Sequence, residues 1–127
     1  MNGTNEKHNL KTLILGASIK PGRYALLAAN SLHRHGHETE LVGRDCGEIN
    51  GVKIKQNTLG INKIDTVTLY LNPANQEPYK NFIFDLKPRR VIFNPGTENP
   101  EFEKELIEKG IEATEACTLV LLSTNQY

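Results

Sequence analysis

The chain has 127 residues, 38% hydrophobic and 24% charged, and its 15 Lys and Arg balance 15 Asp and Glu at a formal net charge of zero. That length buries one core and leaves no room for a second lobe. The neutral balance, with 6% aromatic residues and no Trp, argues against the basic surface or stacking platform that nucleic-acid binding requires.

Residues 1–10 read as a polar leader. Met1 to His8 lack the apolar stretch of a signal peptide, and the longest apolar runs, such as Thr118 to Leu122, are too short to cross a bilayer. Residues 11–127 read as one domain. Lys11 to Gly16 is a short apolar run stopped by glycine, as in a strand buried on both faces. Ala17 to Pro21 turns the chain. Arg23 to His35 carries Tyr24, Leu27, Ala28 and Leu32 at helical spacing, and Gly36 suits the left-handed residue that ends a helix.

Glu38 to Gly43 is a second strand. In Asp45 to Gln56, Asn50-Gly51 marks a tight turn and Val52 and Ile54 alternate after it, which fits a small hairpin or extended excursion. Asp65 to Leu71 is a third strand. Asn75 to Leu86 is predicted helical, with Pro78 in its first turn, where a missing N–H costs nothing. Arg89 to Asn94 is a fourth strand. Thr97 to Lys109 has Pro100 near its start, acids early and lysines late, matching the helix dipole. Ile111 to Ala116 is a fifth strand, and Cys117 to Ser123 is either its continuation or a short last helix. Strands alternating with helices imply crossovers, hence an α/β fold: one Rossmann-type, doubly wound domain on a five-stranded parallel sheet.

In such sheets ligands bind beyond the carboxyl ends of the strands, where the strand order reverses. The loop after strand one holds Gly16 and Ala17, small enough for a diphosphate to approach the main chain. Ser18 adds a hydroxyl, a helix N-terminus follows, and Lys20 and Arg23 are near to neutralise charge. This G-A-S-x-x-P-G stretch is not the full G-x-G-x-x-G fingerprint, and a plain strand end followed by a helix start would look similar. After strand two, where NAD sites place an acid for the ribose, the chain reads Val42-Gly43-Arg44. An arginine there suits a phosphorylated ribose, as in coenzyme A or NADP, although Asp45 follows it. The third and fourth loops hold Asn72-Pro73-Ala74 and Asn94-Pro95-Gly96.

At these residues the chain resembles the small coenzyme A-binding protein family, free-standing relatives of the nucleotide-binding domain of succinyl-CoA synthetase alpha subunits. The resemblance runs from about Lys11 to Cys117. It is carried by Leu15 to Ser18, Arg23-Tyr24, Val42-Gly43-Arg44, Ile49-x-Gly51, Asn72-Pro73-Ala74, Asn94-Pro95-Gly96 and Glu115-Ala116-Cys117. It implies that Gly16, Ala17 and Ser18 wrap the diphosphate, that Arg44 stands beside the adenosine, that Asn72 and Pro73 flank adenine or pantetheine, and that Gly96 lines the far side. The chain departs from its relatives at Val-Gly-Arg, where they often read Val-Asn-Pro, and at Glu-Ala-Cys, where they often read Asp-Arg-Cys.

Other residues invite a chemical reading less well. His33, His35 and His37 crowd the first helix's end, but residues two apart on a helix face different ways, and histidines suit a solvated helix C-terminus; no metal site is expected. Cys46 and Cys117 form no C-x-x-C pair, so the default is two free thiols in a reduced, cytoplasmic setting, with Cys117 packed and Cys46 more exposed. On the acidic helix, Glu101 pairs with Glu105 by spacing and Glu105 with Lys109, as on a solvated face. No catalytic residues are assigned. The expected function is non-catalytic binding of coenzyme A or an acyl-CoA. The alternatives are an NADP-dependent oxidoreductase, for which no Tyr-x-x-x-Lys pair appears, and an accessory subunit of an acyl-CoA ligase. Leu119 to Leu122, if not packed inside, would offer a homodimer contact.

Overall fold

The computed structural model describes residues 9–127; apart from Asn9 and Leu10, the polar leader lies outside the described residues. One sheet in the order β3-β4-β2-β1-β5-β6-β7 organises the chain. The first two strands are β1 (Thr12–Leu15) and β2 (Thr39–Val42); the next two are β3 (Glu48–Ile49) and β4 (Val52–Lys55). β5 (Thr66–Leu69), β6 (Arg90–Phe93) and β7 (Glu112–Glu115) complete it. β1, β5 and β6 are buried at every position, and apart from Arg90 their residues are apolar or β-branched, as strands covered by helices on both faces require.

The sheet has seven strands where the sequence reading expected five. The two extra strands come from the segment after Asp45. Asn50 (φ 53°) and Gly51 (φ 83°) both adopt left-handed backbone, the requirement of a two-residue hairpin turn. β3 and β4 therefore pair antiparallel. β4 also adds in parallel to β2, Leu41 opposite Ile54 and Val42 opposite Lys55, so the hairpin covers a sheet edge that would otherwise stay open. All pairings except β3–β4 are parallel.

The helices differ from expectation mainly at their ends. α1 (Tyr24–Arg34) runs as predicted, with Gly36 left-handed beyond it (φ 82°). The predicted Asn75–Leu86 helix is broken into α2 (Pro73–Gln76), a 3-10 turn (Glu77–Tyr79) and α3 (Lys80–Leu86). Pro78 lies in the 3-10 turn, and its lack of an N–H interrupts the regular ladder there. α4 (Pro100–Glu108) starts at Asn99, whose side chain caps the Phe102 N–H, not at Thr97. Thr97 is buried and its hydroxyl donates to the Asn94 carbonyl, 2.8 Å. Residues 118–123 form α5 (Thr118–Ser123), the helical one of the two alternatives.

Alternate strand residues feed opposite layers. Leu13, Leu15, Leu69, Val91 and Phe93 pack with Ile83 of α3 and Phe102 and Leu106 of α4. Ile14, Leu41 and Ile54 pack with Ala25, Ala29 and Leu32 of α1 and Leu122 of α5. The helices thus lie on both faces, and Leu122 is 2% exposed, so it is core and not a dimer contact. Of that apolar run, Val120 stays exposed. No helix of the described residues is long and apolar enough to cross a membrane.

Candidate functional site

β2 lies on one side of β1 and β5 on the other, so the chain reverses its direction of winding at β1. The strands end flush: Leu15 is opposite Val42 on one flank and Leu69 on the other. The loops after β1, β2 and β5 therefore converge at one edge, the place where open α/β sheets hold ligands. A crevice of about 730 Å³ opens there, within the range of roughly 300–1000 Å³ usual for small-molecule sites.

Its geometry is set by glycine. A Cβ on Gly16, whose φ is +95°, would meet the Tyr70 carbonyl oxygen at 2.7 Å, and one on Gly43 would meet the Ala17 carbonyl oxygen at 2.2 Å. The first two loops are in backbone contact and only glycine permits it. Both the Gly16 and the Ala17 N–H donate to the Val42 carbonyl, 2.9 Å each. Those two amides brace the turn and are not available to a phosphate. Among the described residues the Ser18 and Ile19 amides bond nothing, and the donors left for an anion begin there.

The Ser18 hydroxyl is engaged within the protein. It is buried, donates to Asp45 Oδ2 at 2.9 Å and accepts from the Lys20 N–H at 3.0 Å. It joins the β1 and β2 loops and takes up the one acidic group at the crevice. Lys20, Arg23 and Arg44 line the crevice and are exposed. None makes an ion pair or side-chain hydrogen bond among the described residues. Three cations without partners among the described residues face a cleft whose one lining carboxylate is already hydrogen-bonded, an arrangement that favours a polyanion.

The crevice brings together Gly16, Ala17, Ser18, Lys20, Arg23, Gly43, Arg44 and Asn72. Asn72 accepts from the Asn75 N–H through Oδ1, 2.9 Å, and so caps α2. Pro73 and Gly96 lie outside the lining. Pro73 begins α2, and the Gly96 N–H is taken by Glu98 Oε1 at 2.9 Å. Sequence reasoning missed Gln56, Tyr70 and Tyr79. Gln56 arrives only because the hairpin adds to β2. Tyr70 directly follows the β5 strand and could have been found from its position at a strand end. Burial pushes its hydroxyl up to about 12, with the Thr118 and Thr68 hydroxyls partly countering it, so it is neutral at physiological pH.

The remaining candidates sit elsewhere. His33 and His35 are exposed at the end of α1, but His37 is buried against the Tyr127 ring, centroids 5.0 Å apart, and its Nδ1 accepts from the Leu10 N–H at 2.9 Å. Among the described residues no three His, Cys, Asp or Glu gather as metal ligands. Cys46 is exposed and Cys117 half-buried. Glu105 pairs with Lys80 at 3.2 Å and not with Lys109, whose ammonium lies over the Phe84 ring at 4.9 Å.

A family model described as a CoA binding domain matches residues 11–123. Among solved structures, an uncharacterized protein 54% identical superposes with a TM-score of 0.90 over 94% of this chain and 98% of its own. A hypothetical protein from Pyrococcus horikoshii OT3 is 26% identical, with a TM-score of 0.81 over 94% of this chain and 85% of its own. A protein from Thermus thermophilus, 23% identical, shares the fold with a TM-score of 0.83 over 98% of this chain and 95% of its own. No curated protein sequence matches the chain.

Proposed function

The chain belongs to the CoA-binding domain family, and on that premise we propose that its crevice holds coenzyme A or an acyl-CoA by the phosphorylated half, as a binding module without chemistry of its own. The observation that carries this reading is the trio of cations without partners among the described residues, Lys20, Arg23 and Arg44, around the crevice at the β1–β5 reversal. The ligand has two phosphorylated positions to satisfy, a diphosphate and a ribose phosphate. Lys20 and Arg23 flank the braced turn after β1, where a diphosphate meets the Ser18 and Ile19 amides and the start of α1. Arg44 stands past β2, where the ribose phosphate of an adenosine lying over β2 and β4 would meet a planar guanidinium. The chemistry of the donors fits the group.

The absence of a catalytic role is inferred from the lining. Its ionisable side chains are the three cations, Asp45, which Ser18 engages, and two tyrosines, one of them titrating only at about 12. No histidine or cysteine, the side chains most used for general acid–base and nucleophilic work, lines it. Two unpaired cysteines favour a reducing cytoplasmic setting, and the zero net charge favours a small ligand over nucleic acid.

Calorimetry with coenzyme A, 3′-dephospho-coenzyme A and NADP tests the reading. Coenzyme A is expected to bind. Removing its 3′-phosphate, or Arg44→Ala, is expected to weaken binding by about tenfold, the low end for a charge-assisted contact of roughly 1.5–3 kcal/mol, because Arg44 is exposed. Applied together, the two changes should cost no more than either alone. No binding of any of the three ligands refutes the proposal. NADP binding with turnover of carbonyl compounds would move the assignment to the oxidoreductase reading.

A further inference from the structure

Beside the crevice lies a second, smaller cavity of about 220 Å³, lined by Tyr24, Tyr70, Asn94, Pro95, Cys117 and Leu119. Tyr70 is a wall common to both. We propose that this cavity receives the aliphatic group of an acyl-CoA thioester, so that the protein prefers short acyl-CoAs to free coenzyme A; the proposal rests on the coenzyme A reading above.

The cavity walls are mainly apolar. Asn94 is the only amide in the lining, and its polar atoms are spent inside the protein. Its Nδ2 donates to Thr68 Oγ1 at 2.6 Å and to the Leu69 carbonyl at 2.9 Å, and its Oδ1 accepts from the Thr118 N–H at 2.9 Å. The Thr68 hydroxyl that Asn94 meets also bonds the Thr118 hydroxyl, 2.8 Å. The other walls are a proline, a leucine, two tyrosines and a thiol, a weak hydrogen-bonding group. A water needs two to four polar partners to settle in a cavity, and one without them takes apolar guests instead.

The crevice spans the loops after β4, β2, β1 and β5, whereas Asn94-Pro95 follow β6 and Cys117 follows β7. Adjacent strands are about 4.8 Å apart, so β6 lies about 10 Å from β1. A ligand with its diphosphate over β1 and its adenosine toward Arg44 sends its pantetheine the opposite way, over β5. That arm, two amide units ended by a thioethyl group, covers two strand spacings and delivers its sulfur to the Tyr70 wall. What lies beyond the sulfur enters the cavity. A free thiol would leave the cavity unfilled and gain nothing from its apolar walls.

About 220 Å³ is below the roughly 300–1000 Å³ that houses a drug-sized ligand, which limits the guest to a short chain.

Calorimetry of the full chain with coenzyme A, acetyl-CoA, butyryl-CoA and decanoyl-CoA tests the proposal. Each buried methylene is expected to raise affinity by up to about fourfold, so butyryl-CoA should bind about tenfold more tightly than coenzyme A. Decanoyl-CoA should gain nothing over butyryl-CoA. In Leu119→Trp, whose indole would fill the cavity, the butyryl-to-free affinity ratio should fall to about one. Coenzyme A binding with no preference for butyryl-CoA in the unaltered protein overturns this inference alone, as does a preference that survives in a folded Leu119→Trp. Failure of coenzyme A and every thioester to bind overturns the parent reading and this one with it.

Discussion

Gly43→Ala tests the claim that the first two loops form one braced turn. The added Cβ would lie 2.2 Å from the Ala17 carbonyl oxygen, 3.0 Å from its carbon and 3.1 Å from its nitrogen. All three are backbone atoms, so no side-chain rotation relieves the clash. The backbone cannot yield freely either. Gly43 donates to the Lys55 carbonyl at 3.0 Å, while Gly16 and Ala17 both donate to the carbonyl of Val42, the residue before it. Separating the loops costs overpacking strain of about 1–3 kcal/mol and weakens hydrogen bonds worth about 1 kcal/mol each; we expect a loss of about 2–3 kcal/mol. With an unfolding entropy of about 2.1 cal/mol/K per residue, a chain of 127 residues loses about 4 °C of Tm per kcal/mol, so the midpoint should drop by about 7–11 °C. Displacing the turn should also cost about tenfold or more in coenzyme A affinity. Gly110→Ala separates strain from clash. Gly110 has φ +82° with nothing within 4 Å of an added Cβ, and it joins α4 to β7 away from the crevice. It should lose about 1–2 kcal/mol of stability and no affinity. Scanning calorimetry and titration calorimetry on both variants decide the matter. A Gly43→Ala protein that melts within about 2 °C of the parent and binds equally well would refute the close-contact account.

Two further predictions concern the supports of the site and sheet. Asn94→Ala removes one side chain that satisfies Thr68, Leu69 and Thr118; stranding such buried groups costs about 1–3 kcal/mol each where water cannot reach, and a total loss of about 3 kcal/mol or more is expected by chemical denaturation, an unchanged midpoint being the contrary result. Burial works against ionisation of Asp65, but its two hydrogen bonds from Arg89 at 2.9 Å, with the Thr66 hydroxyl, outweigh it and hold the carboxyl below its ordinary 3.8. A lowered folded-state value means the stabilisation is present above about 3.8 and is lost as pH falls through the lower folded value. Asp65→Asn should therefore cost up to about 1 kcal/mol at neutral pH, the scale for a partly exposed pair, and the gap from the parent should close below pH 3.8. A gap independent of pH would show that the charge is not its source.

Much of this molecule follows from local sequence. Buried strands announced themselves as apolar runs because helices cover both of their faces, and Gly16 and Gly36 marked the ends of the first strand and helix because left-handed backbone favours glycine at both. The placement of Lys20, Arg23 and Arg44 around one crevice was also legible, since the ends of parallel strands must share an edge. The chain by itself therefore determined the layered α/β order, the loops that converge and the cations that line the crevice. Only the tertiary structure decided that residues 48–55 extend the sheet to seven strands and bring in Gln56, because edge pairing depends on which strand is left uncovered. Tertiary contacts likewise diverted Ser18 to Asp45 and turned the Gly16 and Ala17 amides to Val42. The physical reason is the same in each case: a hydrogen-bonding group's partner is chosen by distance in space, and residues 27 apart in the chain come within 2.9 Å only after the sheet has formed.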